Sequence, residues 1–326
     1  MSSWHHAPRR CIPKQSQTDR APAANLAYQA ACFERAACSG HTPALLGVLA
    51  PSAALPRGAL IVEEIIGRAA RLPHDMTAIM TALARIHQLP LRAHDARAPL
   101  ISAADPLLDL LAEIEAQAAH LDAARADPIA RRCIDAEIER FRALCAQPPR
   151  PPRCLISFDA HPGNFIVRAD GCAVLVDLEK CRYSHAPLDL AHATLYTSTT
   201  WDATSNVVLG VDEVARAYAD WSREMGPSAA AWNDWHLPLR RAMWLWSITW
   251  CAKWRVASRA ASPATVAGED WSTDLSELAL IAHVRSRVDH YLGAPIVERV
   301  LDEIVALGQT LPTTACQVAV SVGPRT

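Results

Sequence analysis

The chain has 326 residues, 51% of them apolar and 20% charged, which is enough for one large domain or two lobes with separate cores. With 32 Lys and Arg against 34 Asp and Glu, the formal net charge is −2. That balance gives no basic field for nucleic acid or an anionic membrane surface, and no run approaches the roughly 18 apolar residues of a membrane span. A cytoplasmic globular protein is expected.

Residues 1–20 are polar, with His5, His6, Arg9 and Arg10 but no apolar stretch of the kind a secretory signal carries. Arg10 to Lys14 reads as a short edge strand, because Pro13 cannot donate to a ladder. A helix is predicted from Pro22, with Leu26, Ala30, Phe33 and Ala37 on one face and Gly40 placed to stop it. Residues 45–49 and 60–66 read as two strands, separated by a loop containing Pro51, Pro56 and Gly58.

After Gly67 the pattern becomes helical. Met76, Ile79, Met80, Leu83 and Ile86 form one stripe, and further helices are predicted over residues 106–119 and 128–146. The run Pro148-Pro149-Arg150-Pro151-Pro152 ends the last of these. Two β-rich runs, 164–168 and 172–176, flank Asp170-Gly171, a strong hairpin signal. Helices resume over 188–201, 211–225, 239–256, 275–291 and 296–307, and Cys316 to Val320 reads as a stray strand. The ten cysteines include no Cys-x-x-Cys pair, so buried reduced thiols are expected rather than disulfides or metal ligands.

The chemistry concentrates between Ser157 and Glu179. Phosphoryl transfer needs oxygen ligands for Mg²⁺ and a carboxylate near the attacking hydroxyl. Asp159 and Asn164 lie five residues apart entering the hairpin, and Asp177 follows Asn164 by thirteen. A turn at Asp170-Gly171 brings Asn164 and Asp177 to the same open end. Taken alone, an Asp and an Asn in one loop are ordinary turn chemistry. Ser157, Asp159 and His161 are too close along the chain for a hydrolase triad, and no Gly-x-Ser-x-Gly elbow is present.

The pattern Asp-x4-Asn, hairpin, Asp-x-Glu resembles the catalytic core of the aminoglycoside phosphotransferase and choline kinase group, relatives of the protein kinases. Asp159, His161, Gly163 and Asn164 match the group's His-Gly-Asp-x-His-x-Gly-Asn motif, while Ser157 and Phe158 replace its leading His-Gly. Pro187-Leu188-Asp189-Leu190-Ala191 and Leu83-Ala84-Arg85-Ile86-His87 match two further motifs. The resemblance implies an α+β, protein-kinase-like two-lobe fold: a shortened N-lobe over residues 1–66 and a helical C-lobe over 67–326. It implies ATP, or another nucleoside triphosphate, with Mg²⁺ as cofactors and a small-molecule hydroxyl as acceptor.

By the same resemblance Asp159 is the catalytic base, and Asn164 and Asp177 are the metal ligands. Glu179 is a supporting acid, Asp189 braces the catalytic loop, and Ser157 takes the place of the loop-ordering histidine. His161 reads as a loop-packing residue. Ile61, Val62, Glu63 and Glu64 resemble the interlobe linker that receives the adenine, and Lys14 the phosphate-binding lysine, with Glu34 the nearest acid on the following helix. No glycine precedes Lys14, whereas the group has a glycine-rich turn there. A catalytically impaired, pseudokinase-like binding or scaffold module is therefore the alternative.

Tryptophans crowd the C-terminal helices. Trp246, Trp250 and Trp254 recur every fourth residue, which favours a buried core stripe. Their aromatic faces also leave a choline-like acceptor open as a reading. Glu269, Asp270 and Asp274 read equally as an aminoglycoside-binding group or a solvated loop.

Overall fold

The computed structural model describes residues 20–202, 206–260 and 278–311. Two lobes are present, a small N-terminal one of strands and helix and a large, mainly helical one, in a protein-kinase-like arrangement. Lys14, Trp271, the acidic residues 269–274, and the strands expected at 10–14 and 316–320 lie outside the described residues.

Among the described residues of the N-terminal lobe, the first element is α1 (Pro22–Ala36), started by Pro22, whose missing N–H costs nothing in a first turn. It buries Leu26, Tyr28, Ala30 and Cys32, while Ala37 is exposed on a short 3₁₀ turn that Gly40 closes in a left-handed conformation. Strands β1 (Leu45–Leu49) and β2 (Ala59–Val62) pair antiparallel. The second strand is shorter than the pattern predicts. At Glu63 the side chain accepts the Ala44 N–H and pairs with Arg168, and the chain leaves the ladder with Ile66 exposed.

The connection then runs against the hairpin that turns at Asp170-Gly171. Strand β3 (Arg68–Ala69) pairs with β5 (Phe165–Val167), which pairs with β6 (Ala173–Leu175), and Gly171 N–H closes the turn onto Arg168 O at 3.0 Å. Gly67 is required at this approach, since a Cβ there would stand 2.5 Å from the Val167 carbonyl. A third, two-stranded sheet of β4 (Cys154–Ile156) and β7 (Arg182–Ser184) brackets the loop over residues 157–164. Its three-residue strands are too short to leave a readable alternation.

In the large lobe, α2 (Met76–His87), α3 (Pro106–Ala118) and α4 (Pro128–Cys145) follow the predicted spans closely. Asp105 and Asp127 cap α3 and α4 by accepting two backbone N–H groups each. The helix predicted over 188–201 is two pieces, α5 (Pro187–Thr194) and α6 (Tyr196–Thr199), with Leu195 extended between them. The buried guanidinium of Arg240 explains the break, because it bonds both the hydroxyl and the carbonyl of Thr194 and so replaces helix partners there.

Beyond these lie α7 (Val211–Met225), α8 (His236–Ala260), α9 (Leu278–Tyr291) and α10 (Ala294–Leu307). Helix α2 packs on α7, and α8 packs on α3 and α5, so the core lies directly behind the loop after β4. Trp244, Trp246 and Trp254 are buried and Trp250 half-buried, which bears out the core reading of the stripe. The described cysteines are all free thiols, with Cys32, Cys145, Cys154, Cys181 and Cys251 buried.

Candidate active site

The loop after β4 is held by one buried carboxylate. Asp189, in the first turn of α5, accepts the backbone N–H of Ser157 at 2.7 Å and of Phe158 at 2.8 Å. It also receives His87 Nε2, from the last turn of α2, at 3.1 Å. Trp221 on α7 donates its indole N–H to His87 Nδ1 at 3.0 Å. Indole nitrogen only donates, so Nδ1 is the acceptor and Nε2 carries the hydrogen that Asp189 receives. Three helices thus fix one peptide turn.

Within the loop, Ser157 is buried and its hydroxyl accepts the Asp159 N–H at 2.9 Å, ordering the residue two positions on. His161 Nδ1 accepts the Gly163 N–H at 2.9 Å. Desolvation lowers the His161 ring pKa, against the opposing pull of Asp159 and Asp202. A Cβ on Gly163 would stand 2.9 Å from both that ring nitrogen and the Asp202 carboxylate, so a larger residue there would displace one of these side chains.

The hairpin register brings Asn164 and Asp177 to its open end. Phe165 faces Leu175, and the Val176 N–H bonds the Asn164 carbonyl at 2.9 Å, one residue before Asp177. The Asn164 amide nitrogen donates to the Asp159 carbonyl at 3.0 Å, which leaves the amide oxygen as the atom that could accept a ligand. Among the described residues no cluster of three or more His, Cys, Asp or Glu is arranged for a metal. One carboxylate and one amide oxygen, with the remaining positions taken by water and phosphate, is a donor set that suits Mg²⁺.

Asp159 is largely buried, and its carboxylate meets two side chains the motif reading omits. Lys180 Nζ is 3.3 Å from Oδ2, and His192 Nδ1, on α5, is 4.0 Å from Oδ1. Burial pushes the His192 pKa down to about 4, although Asp159 pulls the other way. Trp246 backs this corner: its ring lies 5.1 Å from that of Phe158, edge to face, and its N–H bonds Glu113 at 2.8 Å. Lys180 is legible afterwards as the residue following Asp-x-Glu, but nothing in the spacing points it at Asp159.

The expected residues that are described fall in two groups. Ser157, Asp159, His161, Asn164, Asp177, Glu179 and Asp189 lie on or beside one loop and hairpin, with Glu179 buried. Ile61 and Val62 lie exposed in β2, and Glu63 and Glu64 follow it, with Glu63 tied to Arg168 beside the hairpin turn rather than its open end. The N-terminal helix does reach the site, since the Tyr28 hydroxyl donates to the Cys181 carbonyl at 2.7 Å.

With this geometry in place, the comparison with known families is decisive at one level. Residues 9–232 match the phosphotransferase enzyme family (APH). The chain belongs to that family. Among solved structures, this phosphotransferase-family chain is similar to a Ralstonia eutropha JMP134 protein named for aminoglycoside phosphotransferase, at 12% identity and TM-score 0.54, over 85% of this chain and 84% of that one. It is also similar to a Plasmodium vivax ethanolamine kinase (12% identity, TM-score 0.51, 83% and 74% of the chains). An amicoumacin kinase shares 14% identity at TM-score 0.51, over 83% and 79%. At these identities the shared property is the fold. No curated protein sequence matches the chain significantly. Its similarity to ATP-dependent small-molecule kinases therefore stands at the level of the superfamily.

Proposed function

We propose that this phosphotransferase-family protein transfers the γ-phosphate of ATP, with Mg²⁺, to a hydroxyl group of a small molecule. The observation that carries the reading is the Asp159 carboxylate on a loop pinned by Asp189, with Asn164 and Asp177 at the adjacent hairpin end. In this reading residues 1–66 form the nucleotide-side lobe and 67–326 the acceptor-side lobe. Lys14 grips phosphate, and Ile61 to Glu64 receive the adenine along their backbone.

Asp159 accepts the proton of the attacking hydroxyl. Its burial limits competition from water; the Ser157 hydroxyl holds its backbone N–H, and the Asp189 carboxylate holds the two residues before it. The Asn164 amide oxygen and the Asp177 carboxylate would hold Mg²⁺, with Glu179 as a supporting acid. The metal would supply screening of phosphate charge.

Two measurements test this. Millimolar Mg·ATP should raise the melting temperature of the full chain, and an acceptor screen over amino alcohols, aminoglycosides and sugars should find turnover. Asp159→Asn should lose roughly 10²–10⁴ in kcat with nucleotide binding retained. Binding without turnover of any acceptor would make the protein a nucleotide-binding module instead.

A further inference from the structure

The Asp159–Lys180 contact bears on the kind of acceptor this site admits, and the inference rests on the kinase reading above. Lys180 lies between β6 and β7, with its side chain about four-fifths buried (18% exposed). Its ammonium stands 3.3 Å from Asp159 Oδ2 and over the Trp246 ring, 5.5 Å from the centroid. The indole N–H of the same tryptophan is committed to Glu113. One aromatic face at the base carboxylate therefore already carries a cation.

An acceptor hydroxyl that gives its proton to Asp159 must come within hydrogen-bond reach of this carboxylate. It thereby enters the immediate neighbourhood of the Lys180 ammonium. A substrate ammonium a few atoms from that hydroxyl would meet a like charge at short range, in a site too enclosed for full solvent screening. It would also find the Trp246 face occupied, and with it the cation–π attraction that recognises quaternary ammonium groups. His192, on the opposite side of the carboxylate, adds no positive charge near neutral pH, because burial holds its pKa at about 4.

The geometry points to Lys180 as a built-in cation that stands where a substrate ammonium would otherwise sit, so that the acceptor is a neutral or anionic alcohol. Lys180 is in this sense a specificity residue: it selects by repulsion as well as by contact. The site then differs in substrate class from one that takes choline, ethanolamine or an aminoglycoside, whose reacting hydroxyls lie close to cationic nitrogen.

The test uses the full chain and isosteric acceptor pairs that differ in charge: choline against 3,3-dimethylbutan-1-ol, and glucosamine against glucose. kcat/KM for each is measured in the wild type, Lys180→Gln and Lys180→Arg, with Mg·ATP affinity determined by calorimetry. The wild type should prefer the neutral member by about tenfold or more, Lys180→Arg should keep the preference, and Lys180→Gln should narrow it to about threefold or less with nucleotide affinity unchanged. The wild-type ratio stands without any variant, should Lys180→Gln fail to fold. A wild-type preference for the charged member overturns the inference, as does an unchanged ratio in folded Lys180→Gln. Absence of Mg·ATP binding by the wild type would instead remove the kinase reading on which it rests.

Discussion

His87 and Asp189, 102 residues apart in the chain and both buried, meet at 3.1 Å with the hydrogen on His87 Nε2. That single contact ties the end of α2 to the start of α5, and through Asp189 to the backbone of Ser157 and Phe158. Asp189 faces three donors and has the acceptor capacity for all of them. The loop after β4 is therefore fixed by an acceptor-only group that meets three donors.

Asp189→Asn tests this arrangement with almost no change in shape. An amide offers one acceptor oxygen and sets its NH₂ against a donor, so at least one buried N–H loses its partner. Each orphaned donor costs about 1–3 kcal/mol, and the variant should melt earlier by a matching amount. Turnover should fall as well, since the backbone that positions Asp159 loses a tie. Unchanged stability with full activity would show that Asp189 is not the brace.

The large helices were legible because each repeats its apolar residues over three or more turns, as Met76 to Ile86 and Val211 to Met225 do. The hairpin was legible from Asp170-Gly171, a local turn signal. What escaped depends on distant partners. The break at Leu195 is set by Arg240, 45 residues later, and the short strands β4 and β7 exist only because they meet each other across the loop. The same division holds at the site. Asp159, Asn164 and Asp177 stand out by spacing, whereas the approach of Lys180 and His192 to Asp159 is a product of packing.

Acid should destabilise the protein, and the sign follows from three buried histidines. Burial lowers the pKa of His185, His192 and His236 to about 4 each. In the unfolded chain they titrate near 6.5, so between roughly pH 6.5 and pH 4 the unfolded state binds protons that the native state refuses. Stability therefore falls as pH drops through that window, by up to about 1.4 kcal/mol per pH unit for each ring, and is flat with respect to these groups above it. His236 is the cleanest case, with both ring nitrogens buried and without a hydrogen-bond partner and its ring edge-on to Tyr218 and Trp221. His236→Phe keeps an aromatic ring in that slot. Denaturation midpoints at about pH 5 and about pH 7.5 should lie closer together in this variant than in the parent. An equal gap would mean that His236 takes up its proton without unfolding.

Phe158 sits at φ +56°, in the left-handed region that costs a residue with a Cβ roughly 1–2 kcal/mol. Two forces hold it there. Its N–H and that of Ser157 are drawn onto the Asp189 carboxylate, and its ring is buried against Trp246 and beneath the Arg182 guanidinium, 3.8 Å away. Truncating the ring should cost about 3–5 kcal/mol whichever small residue replaces it. The two truncations differ in the backbone, however. Alanine keeps the Cβ and hence the strain, whereas glycine releases it at a cost in unfolded-chain entropy of roughly 0.5–1 kcal/mol. The usual order should therefore invert: Phe158→Gly should unfold at a higher denaturant concentration than Phe158→Ala, though both fall below the parent. If alanine proves the more stable of the two, the loop has relaxed out of the left-handed turn once the ring is gone. The ring's packing, rather than the two Asp189 bonds, would then be what holds the backbone of the residue before Asp159.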